Sequence, residues 1–120
     1  MEKQKKQDKK QDKNFEKILR EEKPSFTIIP YNQKINPDCD LISINVFYDK
    51  KAYYADVTTL EYINKRLIDY AFTGENANGL YFRDKNMIIL KKITKENIQK
   101  TLEDIARYGD LETLTRIHTI

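Results

Sequence analysis

The chain has 120 residues, a single cysteine and no tryptophan, and its formal net charge is +3 at pH 7. One cysteine excludes an intramolecular disulfide, and no apolar run approaches the roughly 18 residues that a membrane-spanning helix needs. The excess charge lies in residues 1–23, with nine basic and six acidic side chains, whereas residues 24–120 hold thirteen of each and have no surplus to attract a polyanion.

Residues 1–23 form a Lys/Gln-rich tail that we expect to be disordered or partly helical. Its polar composition buries too little apolar surface to offset the entropy lost on ordering. A short amphipathic helix is predicted over residues 14–22, because three apolar side chains there have helical spacing, and Pro24 ends it. A single α+β domain is expected over residues 24–120.

A strand and a hairpin are predicted next. Residues 25–30 read as a short edge strand, since Pro30 cannot donate a hydrogen bond to a neighbouring strand. Residues 41–48 alternate apolar and polar side chains, and residues 52–57 follow after a turn at residues 49–51. The alternation indicates two antiparallel strands that bury one face.

The first helix is predicted to begin at Thr58, with Glu61 completing a capping box, and to end at Gly74 in a left-handed conformation. Helical spacing places five apolar side chains on one stripe, which we expect to be buried. These residues are Leu60, Ile63, Leu67, Ile68 and Ala71.

The same pattern recurs 35 residues later. Residues 80–83 and 87–93 are predicted as a second hairpin, and a helix runs from Thr94 to Gly109. Residues 45–75 and 80–110 share eleven identities in 31 positions, where chance gives about two. The repeat units span about residues 41–75 and 79–110, and their origin by duplication stays open.

These elements predict an α+β fold: an antiparallel sheet of four to five strands with two helices on one face, built from two hairpin–helix units. In the second unit, the positions aligned with the apolar residues Ile44 and Val46 are Gly79 and Tyr81. This leaves open which face of that strand is buried.

The sequence offers little support for catalysis, a cofactor or a metal site. His118 is the one histidine and lies near the chain end, where chains commonly fray. Cys39 is flanked by acids, which raise rather than lower a thiol pKa. Asp49 and Asp84 are related by the repeat, but aspartate is also common in turns. We therefore expect no enzyme, with no catalytic, cofactor-binding or metal-binding residues.

Tyrosines are the best functional signal in the predicted domain. A tyrosine combines a large rigid ring with a polar tip, which suits a surface that binds a partner protein. The candidate partner-binding residues are Tyr53, Tyr54, Tyr62 and Tyr70. One of the adjacent pair Tyr53 and Tyr54 must point away from the core, and the other two lie off the predicted stripe of the first helix. A structural role in strands and core edges is the alternative.

Three stretches, YADVTTLEYI (54–63), GLYF (79–82) and MIILKKIT (87–94), resemble a family of small uncharacterised bacterial proteins. In that family an A-x-x-T-x-x-E-Y-I helix start precedes a Y-F strand and an M-I-I-V strand, and this chain has Leu90 in place of the valine. The similarity covers about residues 44–108 and implies no active site. In size and style, such proteins resemble immunity proteins, which neutralise a partner toxin.

We therefore expect a small cytoplasmic protein-binding module, immunity-like, that neutralises or regulates a partner protein. The alternative is a nucleic-acid-associated accessory or regulatory protein that uses the basic tail, although the interspersed acids of the tail favour a solubilising role. No membrane association is expected. The partner's identity, the oligomeric state and the strand order stay open.

Overall fold

A computed structural model describes residues 23–118. The predicted helix over residues 14–22 lies outside the described residues, as does the predicted tail apart from Lys23. The elements are β1 (Ser25–Ile29), β2 (Leu41–Tyr48), β3 (Lys51–Thr58), α1 (Leu60–Thr73), a one-turn α2 (Glu75–Gly79), β4 (Met87–Ile89), α3 (Lys95–Arg107), a 3₁₀ turn (Asp110–Thr113) and β5 (Thr115–Ile117). The predicted α+β class and the sheet of four to five strands are confirmed. Within the described range, no helix has the length and apolar character to cross a bilayer.

The sheet is a three-stranded antiparallel meander with two short strands added at one edge. β1 pairs with β2 and β2 with β3, both antiparallel. The other edge of β3 is shared: its residues 56–58 pair in parallel with β4, and its residues 52–54 pair antiparallel with β5. The Oδ1 of Asn86 lies where the short strands meet and accepts hydrogen bonds from the backbone N and Oγ1 of Thr115, at 2.9 and 3.0 Å.

The predicted β2–β3 hairpin is confirmed. Asp49 and Lys50 form its turn with φ of 52° and 62°. Two consecutive residues at positive φ define the turn whose twist matches that of the flanking strands. The register follows from this turn, because Tyr48 then pairs with Lys51 and Ile44 with Ala55.

The core lies on one face of the sheet and is covered by α3. Alternate residues of β2 and β3 point into it and are buried with Ile98 and Leu102 of α3. The strand residues of this set are Ile42, Ile44, Val46, Tyr53, Ala55 and Val57. The apolar alternation of β2 and the stripe of α3 therefore meet, as predicted from their spacing.

The second hairpin was predicted incorrectly. Residues 80–83 are not in a strand, and β4 has only three residues. β4 pairs in parallel with β3, so α1 and the segment after it form a crossover connection rather than a repeat of the first unit. Leu80 and Tyr81 are exposed instead of packing in a sheet.

The two predicted helices contribute unequally to the core. α3 supplies Ile98 and Leu102, whereas among the described residues the apolar core contains none from α1. Apolar residues at helical spacing indicate that one side of a helix is apolar. They do not indicate which part of the chain, if any, covers that side.

The repeat is preserved at the helix ends. Thr59, not Thr58, is the N-cap of α1, and its Oγ1 accepts a hydrogen bond from the backbone N of Tyr62. Thr94 accepts from Asn97 in the same way, 35 residues later. Thr58 cannot act as the cap, because it is the last residue of β3 and its Oγ1 donates to the carbonyl of Asp40 at 2.8 Å.

Candidate protein-interaction surface

Residues 60–83 form an arm, hereafter the α1 arm, made of α1, α2 and the returning segment 80–83. None of the fourteen residues of α1 is buried. The helix contacts chiefly the turn that follows it, rather than the sheet. The α1 arm is therefore held in shape mainly by contacts within itself and presents part of its surface to solvent.

The C-terminal end of α1 is closed by a left-handed turn. Gly74 caps the helix with a φ of 89°, and after Glu75 three consecutive residues, Asn76 to Asn78, have φ between 50° and 61°. The turn brings Gly79 against the backbone of α1, where an added Cβ would lie only 2.3 Å from the carbonyl oxygen of Leu67. A side chain at position 79 would therefore push the returning segment off the helix.

Aromatic contacts fix the returning segment along α1. The ring of Tyr62 meets that of Phe82 edge to face, with centroids 6.3 Å apart, a favourable geometry for aromatic pairs. One turn further, the guanidinium of Arg66 lies 4.9 Å from the ring centroid of Tyr70. Burial is the main cause that raises the pKa of Tyr62. Tyr62 and Tyr70 are both half-buried. Of these two predicted contact residues, Tyr62 helps to hold the returning segment, whereas Tyr70 contacts Arg66 of its own helix.

The exposed side of α1 is apolar. Leu60, Asn64, Ile68 and Phe72 are spaced by four residues and therefore lie along one row of the helix surface, hereafter the α1 ridge. The three large apolar members are 68%, 52% and 87% exposed, in that order. Two members, Leu60 and Ile68, belong to the stripe that was predicted to be buried, and that prediction is wrong for both.

The apolar surface extends beyond the ridge. Leu80 and Tyr81 of the returning segment are 80% and 50% exposed. At the foot of the arm, Leu60 and the exposed Ile89 of β4 line one open cleft of about 350 Å³, together with Asp38, Thr59, Glu61, Leu90 and Lys91. Exposed apolar patches of this kind commonly mark binding sites.

The adjacent tyrosines Tyr53 and Tyr54 point to opposite faces of β3. Tyr53 is 1% exposed and belongs to the core, and its hydroxyl donates to Oε2 of Glu112 at 2.9 Å. Burial, followed by this hydrogen bond, raises the pKa of Tyr53, and the same bond lowers the pKa of Glu112, with further help from Lys51. Because its ring is enclosed, Tyr53 offers no area to a partner of this folded form.

Tyr54 belongs to a polar cluster on the opposite face of the sheet. The Oδ1 of Asp56 accepts hydrogen bonds from the hydroxyls of Ser43, at 2.7 Å, and Tyr54, at 2.8 Å. Asp84, at the end of the returning segment, is hydrogen-bonded to Asp56, and desolvation followed by this contact raises the pKa of Asp84. The hydrogen bond with Ser43 lowers the pKa of Tyr54, but burial and Asp56 raise it overall.

This cluster corrects one sequence-based idea. Asp84 was considered as a partner of Asp49, through the repeat, but it meets Asp56 instead. The contact is made because β4 pairs with β3 at residue 56, which the sequence pattern did not predict. Because Asp84 directly follows the arm and Asp56 lies on β3, this contact, hereafter the clasp, joins the end of the arm to the sheet.

The remaining candidates for chemistry lie apart from one another. Cys39 is half-buried in the loop before β2, and His118 is exposed after β5. Among residues 23–118, no three side chains of the His, Cys, Asp or Glu type gather so that they could hold a metal ion.

Comparison with protein-family models, with curated proteins and with solved structures finds no match for this chain. The resemblance to the small bacterial family therefore stays a prediction. Function is argued from the surface itself.

Proposed function

We propose that this chain is a small cytoplasmic protein-binding module that neutralises or regulates a partner protein through the α1 arm. The observation that supports the proposal is the exposed α1 ridge, of which Phe72 is 87% exposed. The large apolar side chains of the α1 ridge contribute nothing to the core of this chain. Side chains of this kind are the usual anchors of protein interfaces.

The charge of the arm favours a protein over a nucleic acid as its ligand. Residues 60–83 contain three acidic and three basic side chains, so the arm is neutral. Phosphate backbones are bound mainly through excess Lys and Arg. The alternative, a nucleic-acid accessory that uses the basic tail, predicts binding that weakens steeply with salt, whereas an apolar interface depends weakly on it.

The predicted tyrosines divide into two groups under this proposal. Tyr62 and Tyr70 lie on the side of α1 away from the ridge, each two residues after a ridge residue, and Tyr62 contacts Phe82 of the returning segment. Tyr54 exposes part of its ring on the sheet face, and Tyr53 has a structural role. We place the main binding energy on the ridge and only a secondary share on Tyr54, Tyr62 and Tyr70.

The test is a calorimetric titration of the full chain against the product of the adjacent gene. Phe72→Ser is expected to weaken binding at least tenfold, because it removes the most exposed large apolar side chain of the ridge. Tyr31→Ser is the matched control, since Tyr31 is an aromatic residue with a similar exposure of 85% in a different region. Thermal melts of both variants verify that the fold is intact.

The outcomes are distinct. Selective loss of affinity in Phe72→Ser supports the proposal. Equal affinity of both variants would move the interface away from the α1 arm. Binding that disappears in about 0.5 M salt in the wild type would favour the nucleic-acid alternative or a charged interface.

A further inference from the structure

Hydrogen bonds of the backbone hold Asp84 beside Asp56. The backbone N of Asp56 donates to the carbonyl of Asn86 at 3.0 Å, so the chain that follows the α1 arm is fixed to β3 at this point. The backbone N of Asn86 in turn donates to Oδ1 of Asp84 at 3.0 Å. Because these bonds do not involve the contact between the two carboxyl groups, they keep the two members of the clasp close to each other.

The contact between the two carboxyl groups requires a donor. Two ionised carboxylates offer only acceptors, so a hydrogen bond between them needs a proton on one of the two. The hydroxyls of Ser43 and Tyr54 both donate to Oδ1 of Asp56, which is therefore the acceptor of this cluster. Asp84 in its protonated form is then the donor. Desolvation, followed by the contact with Asp56, raises the pKa of Asp84 in agreement with this assignment.

The groups around Asp84 supply no cation to balance its charge. The titratable groups that face it are Asp56 and the hydroxyl of Tyr54, both on β3. Its chain neighbours Arg83 and Lys85 are exposed. In the part of the chain that the structure describes, no Lys, Arg or His side chain forms an ion pair with either aspartate. Once Asp84 loses its proton, the two carboxylates therefore repel each other.

We propose that the clasp is a pH-dependent latch, which holds the end of the α1 arm on the sheet while Asp84 is protonated and opens when Asp84 is ionised. The returning segment then moves together with α1, because Phe82 contacts Tyr62 and Gly79 lies against the backbone of Leu67. The latch sets the position of the arm relative to the sheet. It does so whether or not a partner protein binds the arm.

Asn86 limits the motion to the arm. It is buried, its Oδ1 accepts from the backbone N and Oγ1 of Thr115, and its carbonyl accepts from Asp56. None of these bonds uses the proton of Asp84, so β4 and β5 stay in the sheet when the latch opens. Because the pKa of Asp84 is raised, the latch is closed at low pH and opens as pH rises through the folded-state pKa, which lies above the ordinary value of an aspartate.

The test measures the position of the arm by spin-label distances in the full chain. On a Cys39→Ser background, labels at Phe72→Cys on α1 and Lys100→Cys on α3 report the distance between the arm and the core, and both side chains are exposed. We expect a narrow distance distribution at about pH 4 and a broader one at about pH 8, joined by one titration. Asp84→Asn, which donates a hydrogen bond at any pH, should stay narrow throughout. The control Asp110→Asn alters an exposed aspartate and should titrate like the wild type.

The outcomes separate a proton from other causes. A wild-type distribution that does not change with pH, or an Asp84→Asn variant that still titrates, would overturn the inference. Narrowing of the wild type at about pH 8 by about 5 mM Ca²⁺ would also overturn it, because a cation would then hold the clasp. Asp56→Asn is the second variant: its amide can donate to the ionised Asp84, so the distribution should stay narrow at about pH 8, and titration like the wild type would contradict the latch. Partner binding through the α1 ridge is measured separately, so either proposal can fail alone.

Discussion

Leu102→Ala is expected to destabilise the domain far more than Leu67→Ala, although the two leucines occupy equivalent positions of the repeat. Leu102 is 1% exposed on α3. It lies among Ile44, Val57 and Ile98 in the centre of the core. Leu67 lies on α1, is half-buried, and contacts no part of this core.

The expected losses in the free energy of unfolding follow from how deeply each leucine is buried. Truncation of leucine to alanine removes three carbon atoms, worth about 2.4 kcal/mol at about 0.8 kcal/mol for each when fully buried. At Leu102 a cavity term adds to this transfer term, because the surrounding strands and helix close only partly, so we expect about 3–4 kcal/mol. At Leu67 solvent already contacts the side chain and fills the space, so about 1 kcal/mol is expected.

The assay is urea unfolding of both variants, followed by circular dichroism, with equal slopes as the check for two-state behaviour. For a domain of this size, each kcal/mol corresponds to roughly 4–8 °C in Tm, so Leu102→Ala should lower Tm by more than about 10 °C. Equal losses at both positions would refute the reasoning. They would show that α1 shares the core and that its ridge is not free.

Two further predictions concern the arm and its clasp. The pKa of Asp84 is raised in the folded state, so the stabilisation that its protonated form gives is lost as pH rises through the folded-state pKa. Asp84→Asn should therefore have a higher free energy of unfolding than the wild type at about pH 7. In urea melts this difference in free energy should shrink towards about pH 4. A gap that does not change with pH would contradict the raised pKa of Asp84. Gly79→Ala should destabilise the arm by more than Gly109→Ala does. Both glycines have positive φ, which strains an alanine by about 1–2 kcal/mol. Only at Gly79 would the new Cβ lie within 3 Å of backbone atoms. Equal losses of Tm in the two variants would show that this contact is not tight.

The sequence correctly predicted the elements that are specified by the residue pattern of one short stretch of the chain. The β2–β3 hairpin follows from alternation around the turn at Asp49, and α3 follows from its cap at Thr94 and its stripe. The position of α1 was missed because its apolar spacing equals that of α3, and spacing does not reveal whether the chain supplies a surface to cover it. The contact between Asp56 and Asp84 was missed because it depends on parallel pairing of β4, a long-range feature without a local pattern.

The internal contacts of the arm bear on how tightly it could bind. A helix held only by its own propensity would have to be ordered on binding, at a cost in conformational entropy that reduces affinity. Here the Tyr62–Phe82 contact and the close approach of Gly79 to the backbone of Leu67 order the arm without a partner. The α1 ridge is therefore preorganised, while its large side chains contribute nothing to the core. If the proposed function is right, folding and binding use different faces of the same helix, so substitutions on the ridge should change affinity without changing the free energy of unfolding of the monomer.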